Sequence, residues 1–413
     1  MSNKPLIGAA VIGQSGGPSS VINASCYGVI KTALESEYIT TVYGANHGIK
    51  GVLDDRLMIM DEEDPKELEK MLYTPSSALG SCRYKIADPE DDDTDFKRIL
   101  EIFKKYNVRY FFYNGGNDSM DTCNKISRYC KKVGYECRVF GVPKTIDNDL
   151  YGTDHCPGFA SAAKYIATSF MEVSRDSKVY NTGMITIIEC MGRHAGWLTA
   201  AAALATAMGE GPDFIYVPEV DFDMDRFLAD VKRIYAEKQN CLVAVSEGVH
   251  YADGSFVSEA KTSGTDGFGH AQLGGLAARL ATIVKAQTGA KVRGIELSLL
   301  QRCASHCASA TDIEESFNSG KVAVESALAG ETGKMVGFRC DRTDGYHCEY
   351  ALFDLKDVAN TEQKVPLEWI NPERNGVTDD FIRYCLPLIQ GETKQGKEDG
   401  LPSFVNLKKV FAS

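Results

Sequence analysis

The 413-residue sequence has no basic surplus: Lys and Arg number 45 against 57 Asp and Glu, a formal net charge of −12. A general binder of nucleic acid or of anionic membrane needs the opposite sign, so neither partner is expected. A long apolar run is also missing; the most apolar stretch, 197–208, is Ala-rich and too short to span a bilayer. The start, MSNKPLIGAAVIG, lacks the basic, apolar and small-residue order of a secretory leader. The 13 cysteines are odd in number and scattered, which points to free thiols in a reducing cytoplasm. Only Cys303 and Cys307, with His306 between them, stand at ligand-like spacing; without a second pair they make a weak case for zinc. There is no low-complexity tract and no short repeat. A content of 44% hydrophobic and 25% charged residues is ordinary globular composition. A chain of this length is expected to form two or three domains whose cores need no disulfide or structural metal.

What is present is alternation. Runs at 6–12, 108–113, 139–142, 184–188, 214–217, 242–245, 294–300 and 335–338 are rich in Val, Ile, Tyr and Phe and predict strands. Between them apolar residues recur at helical spacing. Examples are Phe227, Leu228, Val231, Ile234 and Tyr235, and Leu273, Leu276, Leu280, Ile283 and Val284. The pattern predicts an α/β fold with largely parallel sheets and helices on both faces. So many strands argue for two such sheets. The acidic run 88–95 reads as a solvated loop and 390–400 as a surface loop, while the alternation fades after about 355. No clear linker separates domains, so the chain is expected to cross between them more than once.

Ligands of α/β sheets gather beyond the carboxyl ends of the strands. Four turns there carry unusual residues. Gly13-Gln14-Ser15-Gly16-Gly17-Pro18 suits either a tight turn or an anion facing backbone N–H groups. It matches neither the dinucleotide fingerprint nor a Walker loop. In Asn114-Gly115-Gly116-Asn117-Asp118-Ser119 the polar residues fit a helix cap, but capping leaves the two glycines unexplained; phosphate binding accounts for both. Pro143-Lys144-Thr145-Ile146-Asp147-Asn148-Asp149 sets two carboxylates two residues apart beside a lysine. They can divide labour, one as proton acceptor and one as ligand for a divalent metal, or simply make Asx hydrogen bonds in a turn. In Met191-Gly192-Arg193-His194-Ala195-Gly196-Trp197 the arginine fork can grip a phosphoryl group. His194 has no nucleophile paired with it in sequence and reads as structural or exposed. Glu247, Arg293 and Arg302 flank strands and fit salt bridges or a ligand equally well.

Together these motifs, in this order from Gly13 to about Asp312, resemble the phosphofructokinase family. The resemblance implies two Rossmann-like domains with the sugar phosphate and the phosphoryl donor meeting between them. Residues 1–158 plus roughly 303–355 would form the donor domain, 159–302 the sugar-phosphate domain, and 356–413 an extension packed on both. By position, Asp147 corresponds to the general base, Asp149 to a Mg²⁺ ligand, Thr145 to the holder of the transferring phosphoryl group, and Arg193 to its charge balance. Met191, Gly192, Arg193, Glu247, Arg293 and Arg302, with Thr145 and Asp147, correspond to the fructose 6-phosphate site. Gly17, Arg83, Asn117, Asp118, Ser119 and Lys144 correspond to the donor site, and Asn117 and Asp118 also stand near the metal position. Lys144 is counted with the catalytic residues as well. The resemblance further implies a homodimer or homotetramer.

The donor follows from two substitutions. ATP-using members of the family carry Gly where this chain has Asp118 and Lys144. Glycine lets a nucleotide phosphate lie against the backbone. An aspartate fills that space with bulk and like charge, and a lysine adds a cation suited to a terminal phosphate. The combination resembles the diphosphate-dependent branch, as does Pro18. The implied reaction is reversible transfer from diphosphate to the 1-hydroxyl of fructose 6-phosphate, giving fructose 1,6-bisphosphate and phosphate. An ATP-dependent phosphofructokinase and a non-catalytic regulatory subunit of the same fold are the competing expectations. The family also often has Asp at position 117. Leu299 and Met184 stand where bacterial ATP enzymes have His and Arg near the sugar phosphate, the Arg donated across a subunit interface.

Overall fold

The computed structural model describes residues 4–179, 181–258, 275–359 and 361–413. Two sheets organise them. The first has seven strands: β1 (Gly8–Gln14), β2 (Ile39–Ala45), β3 (Leu57–Ile59), β4 (Val108–Gly115), β5 (Arg138–Pro143), β10 (Lys334–Asp341) and β11 (His347–Asp354). Their spatial order is β11-β10-β5-β4-β1-β2-β3. The five inner strands run parallel, and the edge strands β3 and β11 are antiparallel to their neighbours. The second sheet has four parallel strands, β6 (Met184–Cys190), β7 (Phe214–Tyr216), β8 (Asn240–Ser246) and β9 (Val292–Glu296), in the order β7-β8-β6-β9.

The inner strands β1 and β4 are buried almost throughout, as expected of parallel strands covered on both faces. Every run expected to be a strand contains one. The run at 294–300 is corrected: pairing with β6 ends at Glu296, and Leu300 opens the helix Leu300–Cys303. Three strands of these two sheets carry patterns too weak to predict. β2 exposes Thr40, β3 is three residues long, and β11 is a half-buried edge. The two-residue strands Lys397–Glu398 and Leu401–Pro402 pair apart from these sheets, the first inside the stretch expected as a surface loop.

Helices fill both faces by the spacing their sequences carry. In Thr94–Lys105, Phe96, Ile99, Ile102 and Phe103 are buried, and in Met224–Lys238, Phe227, Val231 and Ile234 are. Leu276, Leu280 and Val284 are buried in Leu276–Thr288; Leu273 lies outside the described residues. Helices Ile22–Leu34 and Ala310–Leu328 pack at their glycines. A Cβ on Gly28 would sit 2.0 Å from the Phe317 carbonyl oxygen, so only glycine allows that approach.

The C-terminal stretch binds both halves. Trp369, Phe381 and Tyr384 pack around Trp197, and the indole N–H of Trp197 donates to the Gln363 carbonyl at 3.0 Å. Further on, Ala412 N donates to Leu57 O at 2.8 Å, extending the outer edge of the first sheet beyond β3. The acidic run does more than face water: Asp88 pairs with Arg128 and Asp92 accepts from Thr94 N at a helix start. Among the described residues no helix is long and apolar enough to cross a membrane.

Candidate active site

β1, β4 and β5 run in one direction, so the turns after them share one edge. After β1, Gly16 adopts φ +76°, donates its N–H to Cys82 O at 3.1 Å and accepts from Ser81 Oγ at 2.7 Å. These bonds hold the 81–83 segment against the turn. A Cβ on Gly17 would then lie 3.1 Å from Arg302 Nη1 and 3.8 Å from Arg83 Nη2. Two guanidinium groups thus converge on half-buried backbone.

After β4, Gly116 is the cap residue of the helix Asn117–Lys132, and no side chain bonds the first turn. Asn117, Asp118 and Ser119 therefore do not cap; they line the cleft at the positive end of the helix dipole. The Asn117 amide donates to Asp149 Oδ2 at 3.2 Å. Asp118 pairs with Lys85 at 3.7 Å. That lysine was not singled out in the sequence, where Lys144 had been expected as the compensating cation.

After β5, the loop is pinned from behind. Asn148, with φ +56°, donates to the Tyr384 hydroxyl at 2.9 Å and accepts from Cys156 N at 2.8 Å. Both carboxylates beside it line the cleft. Thr145 Oγ1 accepts from Asp147 N at 3.1 Å. Burial lowers the Lys144 ammonium to about 8 against the pull of Asp147 and Asp149, with Arg83 and Arg302 adding to the shift. Burial pushes Asp149 up to about 7, helped by the charges of Asp147 and Glu362. Burial also raises Asp147, although Lys144 and Arg302 oppose it.

Glu362 belongs to this cleft and was missed, because it sits where the chain loses its alternation. Gln363 N donates to Asp149 O at 2.8 Å, and a bridge pairs Leu150 with Glu362.

The second sheet brings further residues into the electrostatic reach of Asp147. Gly192, at φ +131°, follows β6, and a Cβ there would meet Ala195 O at 2.5 Å. Its N–H donates to Glu247 Oε1 at 3.2 Å, and Ser246 Oγ donates to its carbonyl. Met191 N donates to the buried Gln301 side chain at 3.2 Å, and no motif marks that residue in the sequence. Burial lifts Glu247 to about 7; Asp147 adds to the rise and Arg193 opposes it. Arg193 also acts on Asp147, so the motifs of both sheets share one electrostatic field.

Two arginines differ from expectation. Arg302 lies against Gly17 on the donor side and feels Arg83 and Asp147. Arg293 is on the exposed edge of β9, level with Thr186 and well before the strand's carboxyl end. Met184 is buried at the start of β6, Leu299 is exposed, and His194 is exposed.

The cleft on the donor side holds about 490 Å³, within the usual range for small-molecule sites of about 300–1,000 Å³. Asp149 Oδ1 and Asn117 Oδ1 are both sealed from solvent and make no hydrogen bond. Two hard oxygens without donors, one on a carboxylate raised by burial, fit a small divalent cation such as Mg²⁺.

A pair of α/β sheets whose turns gather arginines, a lysine and buried carboxylates defines a phosphoryl-transfer protein. The comparisons specify it further. A profile described as Phosphofructokinase matches residues 9–328, so the chain belongs to the phosphofructokinase family. It is 42% identical over 405 residues to the pyrophosphate–fructose 6-phosphate 1-phosphotransferase of Halomonas elongata, covering 97% of this chain and 96% of that one. It is 43% identical over 410 residues to the enzyme of the same name from Xanthomonas campestris pv. campestris, covering 98% and 97%. The crystal structure of pyrophosphate-dependent phosphofructokinase from Nitrosospira multiformis superposes with a TM-score of 0.90 at 39% identity, over 98% of each chain. Kinases of this family generally use Mg²⁺.

Proposed function

We propose that this chain is a diphosphate-dependent phosphotransferase that phosphorylates D-fructose 6-phosphate at its 1-hydroxyl. One observation carries the choice of donor: Arg83 and Arg302 at Gly17 and Lys144 at Gly16 converge on one turn, while Asp118 lines the helix end where a nucleotide would continue.

The roles follow from that geometry. Asp147 takes the proton of the sugar 1-hydroxyl as its oxygen attacks the nearer phosphorus. The new O–P bond forms, the bridging P–O bond breaks, and phosphate leaves. Burial keeps the Asp147 carboxyl above its ordinary range, nearer the optimum for a base at neutral pH. Arg193 and Thr145 balance and hold the transferring group, since such transfer rests on positioning and charge. Arg83, Lys144, Ser119 and the Gly17 backbone hold the leaving phosphate. Asp149 and Asn117 would hold Mg²⁺, which when bound neutralises diphosphate oxygens. Glu247, Met191 and Gly192 face the sugar. Residues 1–158 with roughly 303–355 form the donor domain, 159–302 the sugar domain, and 356–413 the extension that backs the Asp147–Asp149 loop. Family membership supports a homodimer or homotetramer, in which Arg293, exposed on β9, would be open to the sugar phosphate of a neighbouring copy. The free thiols suit a reducing cytoplasm. Because Asp147, Asp149 and Arg193 share one field, the arrangement fits an enzyme better than a binding-only subunit.

Rates with diphosphate and with ATP, at fixed Mg²⁺ and fructose 6-phosphate, test the reading. Turnover with ATP and none with diphosphate would overturn it. Replacing Asp118 and Lys144 together by glycine is expected to weaken diphosphate use; unchanged diphosphate kinetics would remove both from donor choice.

A further inference from the structure

A second cluster of ionisable groups lies behind the catalytic loop and takes no part in the chemistry above. Cys340 and Cys348 stand directly opposite each other on the antiparallel strands β10 and β11. Both are free and half-buried. The Cys340 sulfur is 3.8 Å from His155 Nδ1 and 3.5 Å from the Tyr346 hydroxyl. His155 is fully enclosed between two carboxylates, Asp154 Oδ1 at 3.0 Å and Glu315 Oε2 at 2.7 Å, which hold it as imidazolium despite its burial. Arg342 forks onto Asp154 at 2.7 and 2.8 Å and neutralises it. Asp154, His155 and Cys340 are the only group of three candidate ligand residues this close together among the described residues. A protonated imidazole and an arginine-bound carboxylate are poor metal ligands. The same groups are what makes a thiol reactive: adjacent positive charge and partial exposure. Consistently, the Cys340 thiol is held down at about 6, chiefly by the hydrogen bond from Cys348 and then by His155.

We propose that Cys340 and Cys348 form a peroxide-oxidised thiol pair whose closure to a cross-strand disulfide is felt at the catalytic loop. The Cys340 thiolate attacks one oxygen of hydrogen peroxide; the O–O bond breaks, giving a sulfenic acid and hydroxide, which takes a proton to become water. The Cys348 sulfur then attacks the Cys340 sulfur, and the hydroxyl leaves as water with the Cys348 proton. Two thiols lose two electrons, and one peroxide becomes two waters. The path to the site is continuous. Tyr384 donates to the Asp154 carbonyl at 2.8 Å, Arg342 Nε donates to the Tyr384 carbonyl at 3.1 Å, and Tyr384 receives the Asn148 amide between Asp147 and Asp149. Oxidation removes the thiolate charge beside His155 and ties β10 to β11, so it acts on Arg342 in the turn between them and, through Arg342, on Tyr384, which pins Asn148.

The test uses the reduced full-length protein with a few equivalents of hydrogen peroxide, followed by alkylation and peptide mass analysis. A linked 340–348 peptide is expected before any modification of the exposed Cys303. Hydrogen exchange of the 145–156 amides should change with the link and recover with dithiothreitol. Diphosphate-dependent turnover, the one readout that rests on the proposed function, should shift at least threefold and recover likewise. Cys348→Ser should leave Cys340 as a sulfenic acid trapped by dimedone, and Cys340→Ser should abolish link and response. Three results overturn the proposal: Cys303 oxidised while Cys340 and Cys348 remain alkylatable, a link that leaves exchange unchanged, or purified protein carrying one zinc per chain that Cys340→Ser loses. Absence of diphosphate turnover alongside the link and the exchange change would instead count against the proposed function.

Discussion

Two buried charged clusters lie on either side of the Asp147–Asp149 loop, and they are built on opposite principles. Behind the loop, Asp154, His155, Glu315 and Arg342 satisfy one another, and Asp154 is held below the usual carboxylate range by Arg342 and His155 against its burial. In front of it, Asp149 sits near 7 with a bare oxygen, and Lys144 near 8. A closed ledger of charge marks a structural element; an unbalanced one marks where a ligand completes the set.

The largest expected effect attacks the open cluster. Asp147→Ser should lower kcat by about 10²–10⁴ with donor and sugar binding within a few-fold, since a general base acts in the transition state. Steady-state kinetics with diphosphate check this, and an unimpaired variant would remove Asp147 from the mechanism. Next, Arg342→Ala should break the closed cluster and cost ~3 kcal/mol of stability, as loss of one partner strands a largely buried charge; urea unfolding measures it. Asp149→Asn should do the reverse: Mg²⁺ affinity falls at least tenfold by calorimetry, while the melting temperature of the metal-free protein stays level or rises. A clear loss of stability there would show that the front cluster is structural after all.

The smallest effect is a pH profile. Asp149, Glu247 and Glu189 sit at about 7 when folded, against ordinary values near 4. The folded chain therefore holds protons that the unfolded chain releases, and the stability this supplies is lost as pH rises through about 7. Lys144, lowered to about 8, gains stability for the fold only above that pH, so it does not mask the trend. Thermal melts of metal-free protein should fall by roughly 1 °C per kcal/mol lost between pH 5 and 7, and Mg²⁺ should flatten the curve. A profile that is flat without metal would contradict the picture of carboxyl groups raised by burial.

Much of this was legible in the chain itself. The turns at Gly16, Gly116, Lys144 and Gly192 follow apolar runs that announce buried strands, and their unusual composition stands out against ordinary turn residues. Glu362, Lys85 and Gln301 carried no such signal. Each is a polar residue in an unremarkable stretch and gains its meaning from a neighbour far away in sequence. The placement of Arg302 beside Gly17, and of Arg293 on an outer edge, was equally hidden, because flanking the same strand says nothing about which way each side chain faces.

Sequence alone determined the local matters: the buried strands and the amphipathic helices, and which turns carry phosphate-gripping and acidic groups, since periodicity and turn chemistry act over a few residues; the edge strands of the first sheet it left unmarked. Only the tertiary structure decided which carboxylates lack a partner, which lysine meets Asp118, and that two cysteines on neighbouring strands face one another. Those depend on burial and on contacts between distant segments, and burial is a property of the packed whole.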